Sequence, residues 1–229
     1  MEDFARVELS FAERRGWTYA AVFDGHGGEA VSRRAANEFH ELLAAEILGA
    51  PNDDALRRTF RTFDERVKEE SSGTTAVVLL VHEGGITAAN AGDSHALLVR
   101  GRDEEILTTD HRLANESELR RVQAAGARIS GRYACLPDGR GLMCTRSLGD
   151  REFRTIGIIP DPDIANRSVG PDDVWIVLGS DGVWDGLVPE EVAILARSTT
   201  TARLAAERIR DAALAASTDN VSVVSVRLP

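Results

Sequence analysis

Along residues 17–23, WTYAAVF, apolar side chains run almost unbroken and stop at Asp24-Gly25-His26. A short apolar run closed by a turn signal predicts a strand, here built from Trp17, Tyr19, Ala21 and Phe23. A weaker strand candidate precedes it at 5–11. From 29 to 48 the period becomes helical: Val31, Ala35, Phe39, Leu42, Leu43 and Ile47 share one face, and Gly49 and Pro51 end the helix. Asn52 or Asp53 then caps a second helix that carries Leu56, Phe60, Phe63 and Val67 on one side.

After Ser71-Ser72-Gly73 the pattern returns to strands. TTAVVLLVH, ITAANAG and HALLVR, joined by Glu83-Gly84-Gly85 and Gly92-Asp93-Ser94, read as an antiparallel meander. Asn115 and Glu118 have capping-box spacing ahead of a short helix at 116–125, which Gly126 stops. Residues 126–150 are dense in glycine and show the least regular pattern. The stretch 151–172, with Pro160, Pro162 and Pro171, reads as a surface excursion carrying one edge strand at 163–168. VWIVLGS at 174–180 is a buried strand, helices follow at about 189–197 and 201–216, and VSVVSVRL closes the chain as a strand. The expected architecture is one domain over 1–229 of α+β class, an antiparallel β-sandwich flanked by helix pairs in four layers.

Composition narrows the function. The chain has 229 residues, enough for a sizeable core, and its net charge of −10 argues against nucleic acid or anionic membrane as a partner. Of its 27 basic residues only Lys68 is a lysine, and the arginines are scattered. Cys135 and Cys144 form no CxxC, so neither a zinc site nor a disulfide framework is expected. No apolar run reaches 18 residues and the opening MEDFARVELS lacks the segments of a signal peptide, so a soluble, cytoplasmic monomer is expected.

The chemistry lies in the acids. Four strands carry an aspartate at one end: Asp24 after AAVF, Asp93 after TAANAG, Asp181 after VWIVLGS and Asp219 before VSVVSV. One Asp-Gly at a strand end is an ordinary turn; four, with Glu2 and Asp3 ahead of the first strand, make a pattern. Two unit charges about 4 Å apart repel by about 4 kcal/mol at an effective dielectric near 20, and a divalent cation removes that cost. All-oxygen ligation selects Mg²⁺ or Mn²⁺ over zinc. Two such ions, bridged by Asp24 with the Gly25 carbonyl beside it, would acidify a shared water that attacks phosphorus directly, while Asp181 and Asp219 complete the ligand set and His26 protonates the leaving oxygen. His40, His82, His95 and His111 are read as structural or solvated.

The ordered set VFDGHGG (22–28), SGTTAVV (72–78), ANAGDSHALL (89–98), LTTDHR (107–112), TRSLGD (145–150), VLGSDGVWD (177–185) and DNVSVV (219–224) resembles the motifs of the metal-dependent protein Ser/Thr phosphatases of type 2C. The resemblance implies hydrolysis of phosphoserine and phosphothreonine in phosphorylated proteins, with two Mn²⁺ or Mg²⁺ ions at the sandwich edge. Residue by residue it implies that Asp24, Gly25, Asp181 and Asp219 hold the ions, that Glu2 and Asp3 act through metal-bound water, and that His26 is the general acid. Asp93 matches a third, weaker metal position of some members, Arg146 a supporting motif arginine, and 151–172 the flap beside the site. Family members also carry a phosphate-binding arginine shortly before the segment that here opens as Met1-Glu2-Asp3; a first strand shortened or missing is expected, and either the coding start lies further upstream or phosphate binding is weakened. The alternative reading is therefore a non-catalytic relative that kept the fold. Two other phosphatase classes fit worse: Gly92-Asp93-Ser94-His95 has no GDxxDRG or GNHE partner, and neither cysteine is followed six residues later by arginine.

Overall fold

The Thr18–Phe23 strand is apolar on both faces because it lies in a sheet that is itself packed on both sides. The computed structural model describes residues 1–48 and 52–228, so Gly49 and Pro51, the expected end of the first helix, lie outside the described residues. Five antiparallel strands lie side by side in the order Phe4–Leu9, Thr18–Phe23, Ala76–His82, Gly85–Ala91 and Asp163–Arg167. A second antiparallel sheet orders Val223–Arg227, Asp173–Gly179, His95–Arg100 and Glu104–Ile106. Alternate residues divide between the layers as a strand's two-residue period requires. Ala20, Val22, Val77 and Leu79 meet Ala96, Leu98, Ile176 and Leu178 between the sheets.

Tyr19, Ala21, Phe23, Val78 and Leu80 face the other way, under the helices Ala30–Ile47 and Asn52–Arg66 with Phe39, Leu43, Phe60 and Phe63. Leu97, Val99, Trp175 and Val177 are covered by the helices Pro189–Arg197 and Ala202–Ala216 through Val192, Ala193, Ile209 and Ala213. The result is the α/β/β/α layering that the pattern predicts.

Boundaries differ where the backbone turns sharply. The first strand ends at Leu9, not 11, because Ser10 enters the left-handed region at φ 55° and starts a tight turn. Asp53, offered as a cap, stands inside the first helical turn, where its charge complements the helix dipole. The irregular stretch 126–150 forms a small sheet of Arg128–Ser130, Tyr133–Cys135 and Gly141–Leu142 over its own core of Val122, Ala134, Leu136, Phe153 and Ile158. The excursion supplies the edge strand Asp163–Arg167, paired with Gly85–Ala91. Cys135 and Cys144 are buried free thiols. Among the described residues no helix is long and apolar enough to cross a membrane.

Candidate active site

Where the two sheets end together, the chain turns abruptly after each central strand. The carbonyl of Asp24 accepts from Thr75 N–H at 2.8 Å and from Thr74 Oγ1 at 2.9 Å, which fixes the turn out of the Thr18–Phe23 strand. Gly25–His26 then pairs with Gly73–Thr74, which in turn pairs with Leu148–Gly149. Gly73 is required here: a Cβ would lie 2.0 Å from Asp150 Oδ2. That same carboxylate oxygen meets His26 Nε2 at 2.7 Å. Asp150 is held at φ 49°, left-handed for a residue with a side chain, the kind of strain that surroundings enforce at functional sites.

On the other sheet the Asp173–Gly179 strand leads into a single helical turn, Asp181–Trp184. Ser180 N–H donates to Ser222 carbonyl at 3.1 Å and Ser222 N–H donates back to Ser180 Oγ at 3.0 Å. Gly182 lets the facing loop close in, since a Cβ there would stand 2.1 Å from the Asn220 carbonyl. Asp181 and Asp219 are thereby kept on one rim.

The result is a pocket of about 280 Å³ lined by Glu2, Asp24, Gly25, His26, Asp93, Asp181 and Asp219, and on another side by Tyr133 and Leu142 of the small sheet with the adjacent Met143. Asp3 is buried just behind it, and its Oδ2 has no hydrogen-bond partner. No arginine or lysine lines this pocket among the described residues. Burial, and then the charges of Asp3, Asp181 and Asp93, push the Asp24 carboxyl up to about 10. Burial with Asp93 and Asp219 raises Asp181 to about 6, Arg112 opposing, and burial raises Asp3 despite its hydrogen bonds. For His26, burial disfavours the imidazolium but Asp150 outweighs it, so the ring is more basic than usual.

Among the described residues no three His, Cys, Asp or Glu side chains already stand in an ion-holding arrangement. Asp3 and Asp24 share a side-chain hydrogen bond, and Asp93, Asp181 and Asp219 line the rest of the pocket. The donors are nonetheless all oxygen, one of them is orphaned, and Asp24 holds its proton for want of a counter-charge, which is how a hard divalent ion's ligand set stands without the ion.

The profile of the family described as Protein phosphatase 2C matches residues 1–221. The chain belongs to the protein phosphatase 2C family. "Probable protein phosphatase 2C 32" of Oryza sativa subsp. japonica is 30% identical over 100% of this chain, which covers 62% of that protein. "Protein phosphatase 2C homolog 1" of Saccharomyces cerevisiae is also 30% identical over 100% of this chain and 88% of its own. The solved structure of a C. elegans sex determining protein superposes with a TM-score of 0.84 at 27% identity, across 99% of this chain and 61% of that one. The chain thus spans about three fifths of the rice and nematode proteins.

For a protein phosphatase 2C domain, the structure gathers Glu2, Asp24, Gly25, His26, Asp93, Asp181 and Asp219 into one pocket, with Asp3 behind. Arg146 stands elsewhere: it is 14% exposed and ties Glu118 to Asp163 Oδ1 (2.8 Å) and the Asp161 carbonyl (2.9 Å), joining the Glu116–Ala124 helix to the excursion. Three residues escaped sequence reasoning, each inside a motif of the resemblance: Asp150 beside His26, and Arg112 with Asp185 at the outer rim. Their motif membership was a signal; their partners are set only by tertiary contact.

Proposed function

We propose that this chain hydrolyses phosphoserine and phosphothreonine monoesters in proteins, using Mn²⁺ or Mg²⁺. The observation that carries the reading is the inner group of Asp3, Asp24 and Asp219, carboxylates at a pocket without a lysine or arginine, with Asp24 pushed up to about 10 and Asp3 Oδ2 orphaned. Asp24, the Gly25 carbonyl, Asp181 and Asp219 would hold two ions, with Glu2 and Asp3 behind them through water. When bound, the ions would supply a water of lowered pKa and a clamp on the phosphoryl oxygens.

The chain's own residues do the rest. Asp150 accepts from His26 Nε2–H, which orients the ring and leaves Nδ1 as the nitrogen that faces a leaving group. Because Asp150 makes the imidazole more basic, a larger fraction carries the second proton near neutral pH, and Nδ1–H can pass it to the departing serine or threonine oxygen. Tyr133, Leu142 and Met143 cover one side of the pocket and limit water.

One observation favours the rival, a non-catalytic relative: the side chains do not stand pre-arranged around an ion. Calorimetry with Mn²⁺, run beside phosphate release from a phosphothreonine peptide with and without EDTA, separates the two. Metal binding with EDTA-sensitive release is expected. Release that persists in EDTA would refute the proposal.

A further inference from the structure

Arg112 brings a fixed positive charge into the outer half of the acidic rim. Its Nε donates to Asp93 Oδ2 at 2.7 Å, its Nη2 to Asp181 Oδ2 at 3.0 Å and its Nη1 to Asp185 Oδ1 at 2.7 Å. One guanidinium therefore binds carboxylates from two separate chain segments, the turn at 93 and the helical turn at 181–185. Its planar fork suits such multiple pairing in a way a lysine ammonium does not. The side chain is 22% exposed, so these pairs are only partly screened by water.

The backbone beneath Arg112 is held from two sides. His111, fully buried, accepts Gly92 N–H at Nδ1 (3.1 Å), which leaves Nε2–H to donate to Asp163 Oδ2 (3.2 Å). Thr145 N–H donates to the His111 carbonyl at 2.7 Å, and Arg112 forms an isolated β-bridge with Cys144. Arg112 is thus anchored to the same turn that presents Asp93, and its reach to the three carboxylates is built into the fold.

We propose that Arg112 is the resident cation of this outer corner, excluding a further divalent ion from the space between Asp93, Asp181 and Asp185 and leaving only the second carboxylate oxygen of Asp181 to the inner site. A third ion at Asp93 would have to displace a guanidinium that already meets these three side chains. The inner ions belong to the metal-dependent reading above, on which this inference rests only for the wild-type count. Arg112 also lines a neighbouring cavity of about 370 Å³ with Asp110, Leu113 and Met143, so shortening the side chain opens space beside the three carboxylates.

The test is the number of Mn²⁺ ions bound by the full chain, counted from the electron paramagnetic resonance signal of free Mn²⁺ during titration. Arg112→Gln should bind one ion per chain more than wild type, and Arg112→Gln combined with Asp93→Asn should return to the wild-type number. Arg112→Lys keeps the charge and should keep the wild-type count. An unchanged count in Arg112→Gln overturns the proposal, as does an extra ion in Arg112→Lys. Asp93→Asn alone leaves Arg112 in place and decides the matter where Arg112→Gln does not fold: the wild-type count is expected, and loss of an ion shows that Asp93 is itself a ligand and refutes the exclusion. The wild-type count tests the inner site separately. A wild type that binds no Mn²⁺ beside an Arg112→Gln protein that binds one would sink the metal-dependent reading and leave this inference standing.

Discussion

Glu118 is a buried carboxylate and Asp24 a half-buried one, and the protein treats them in opposite ways. The Glu118 side chain, 1% exposed, accepts from Thr145 Oγ1 at 2.6 Å, from Arg146 Nη2 at 2.9 Å and from Arg121. Burial alone would raise it; those donors outweigh burial and hold it down to about 2. Asp24 is pushed up to about 10, first by desolvation and then by the carboxylates of Asp3, Asp181 and Asp93 beside it. Arginines tie a helix to the excursion, whereas among the described residues none lines the acidic pocket and Arg112 alone reaches two of its carboxylates, Asp93 and Asp181. Arg112 marks the border between the two regimes. A carboxyl left without a cationic partner within an otherwise well-paired fold is a candidate functional group.

The most severe way to break the contrast is Asp24→Asn, which removes the proposed bridging carboxylate. Loss of a partner one step removed from a metal typically costs about 10–100-fold, so loss of a ligand should cost at least about 100-fold in phosphate release from a phosphothreonine peptide. A variant with near wild-type turnover would return Asp24 to being a plain turn residue.

His26→Ala comes next, with an expected loss of about 100-fold in kcat, the lower end of what a positioned acid contributes, and an unchanged Mn²⁺ count. Asp150→Asn should cost about tenfold, since the partner orients the ring and does not transfer the proton itself. It also has a pH signature. Asp150 raises the His26 pKa, and the acid must be protonated to act, so activity falls as pH rises through that value. Without Asp150 the pKa drops and the alkaline limb of the kcat profile moves to lower pH. A limb that stays in place, or moves up, contradicts the role given to His26.

Metal loading sharpens the comparison without any mutation. A carboxyl raised in the folded state above its unfolded value of 3.8 contributes stability that is complete below that value and is lost as pH rises toward about 10. Metal-free protein should therefore lose stability at Asp24 across that window. Ligation needs the anion, so Mn²⁺ must expel the proton and binds better as pH rises. Thermal unfolding at about pH 6 and about pH 8 should show a larger Mn²⁺-induced rise in Tm at the higher pH; a smaller one would mean that Asp24 is not a ligand.

Much of the layering was legible in the sequence because burial on both faces leaves a continuous apolar run, and WTYAAVF and VWIVLGS are such runs. The pocket's aspartates were legible because Asp24, Asp93, Asp181 and Asp219 each follow or precede a strand-like run. The small sheet at 128–142 was not: strands of two or three residues carry too few positions for a period to register, and it buries only a modest separate core. Asp150, Arg112 and Asp185 were visible as letters but not as partners. Asp150 reaches His26 across 124 positions of chain, and Arg112 reaches Asp185 across 73, contacts that no local pattern encodes.

The smallest effect on turnover should come from the paired side of the comparison. Glu118 lies outside the pocket, so Glu118→Gln should leave kcat of the folded protein near wild type and act on stability. The folded value of about 2 lies below the ordinary glutamate value of 4.5, so in the wild type the carboxylate contributes stability that is fully present above about pH 4.5 and lost as pH falls toward 2. A gap of that size corresponds to roughly 3 kcal/mol. Glutamine does not titrate, so the variant should start less stable at neutral pH, with Arg121 and Arg146 short of a counter-charge, and should lose less on acidification. Urea unfolding at about pH 7 and about pH 3 measures both ends. Equal acid sensitivity in the two proteins would show that the arginines around Glu118 bind it no better than water does, and the opposition between a satisfied carboxylate and an unsatisfied one would lose its reference point.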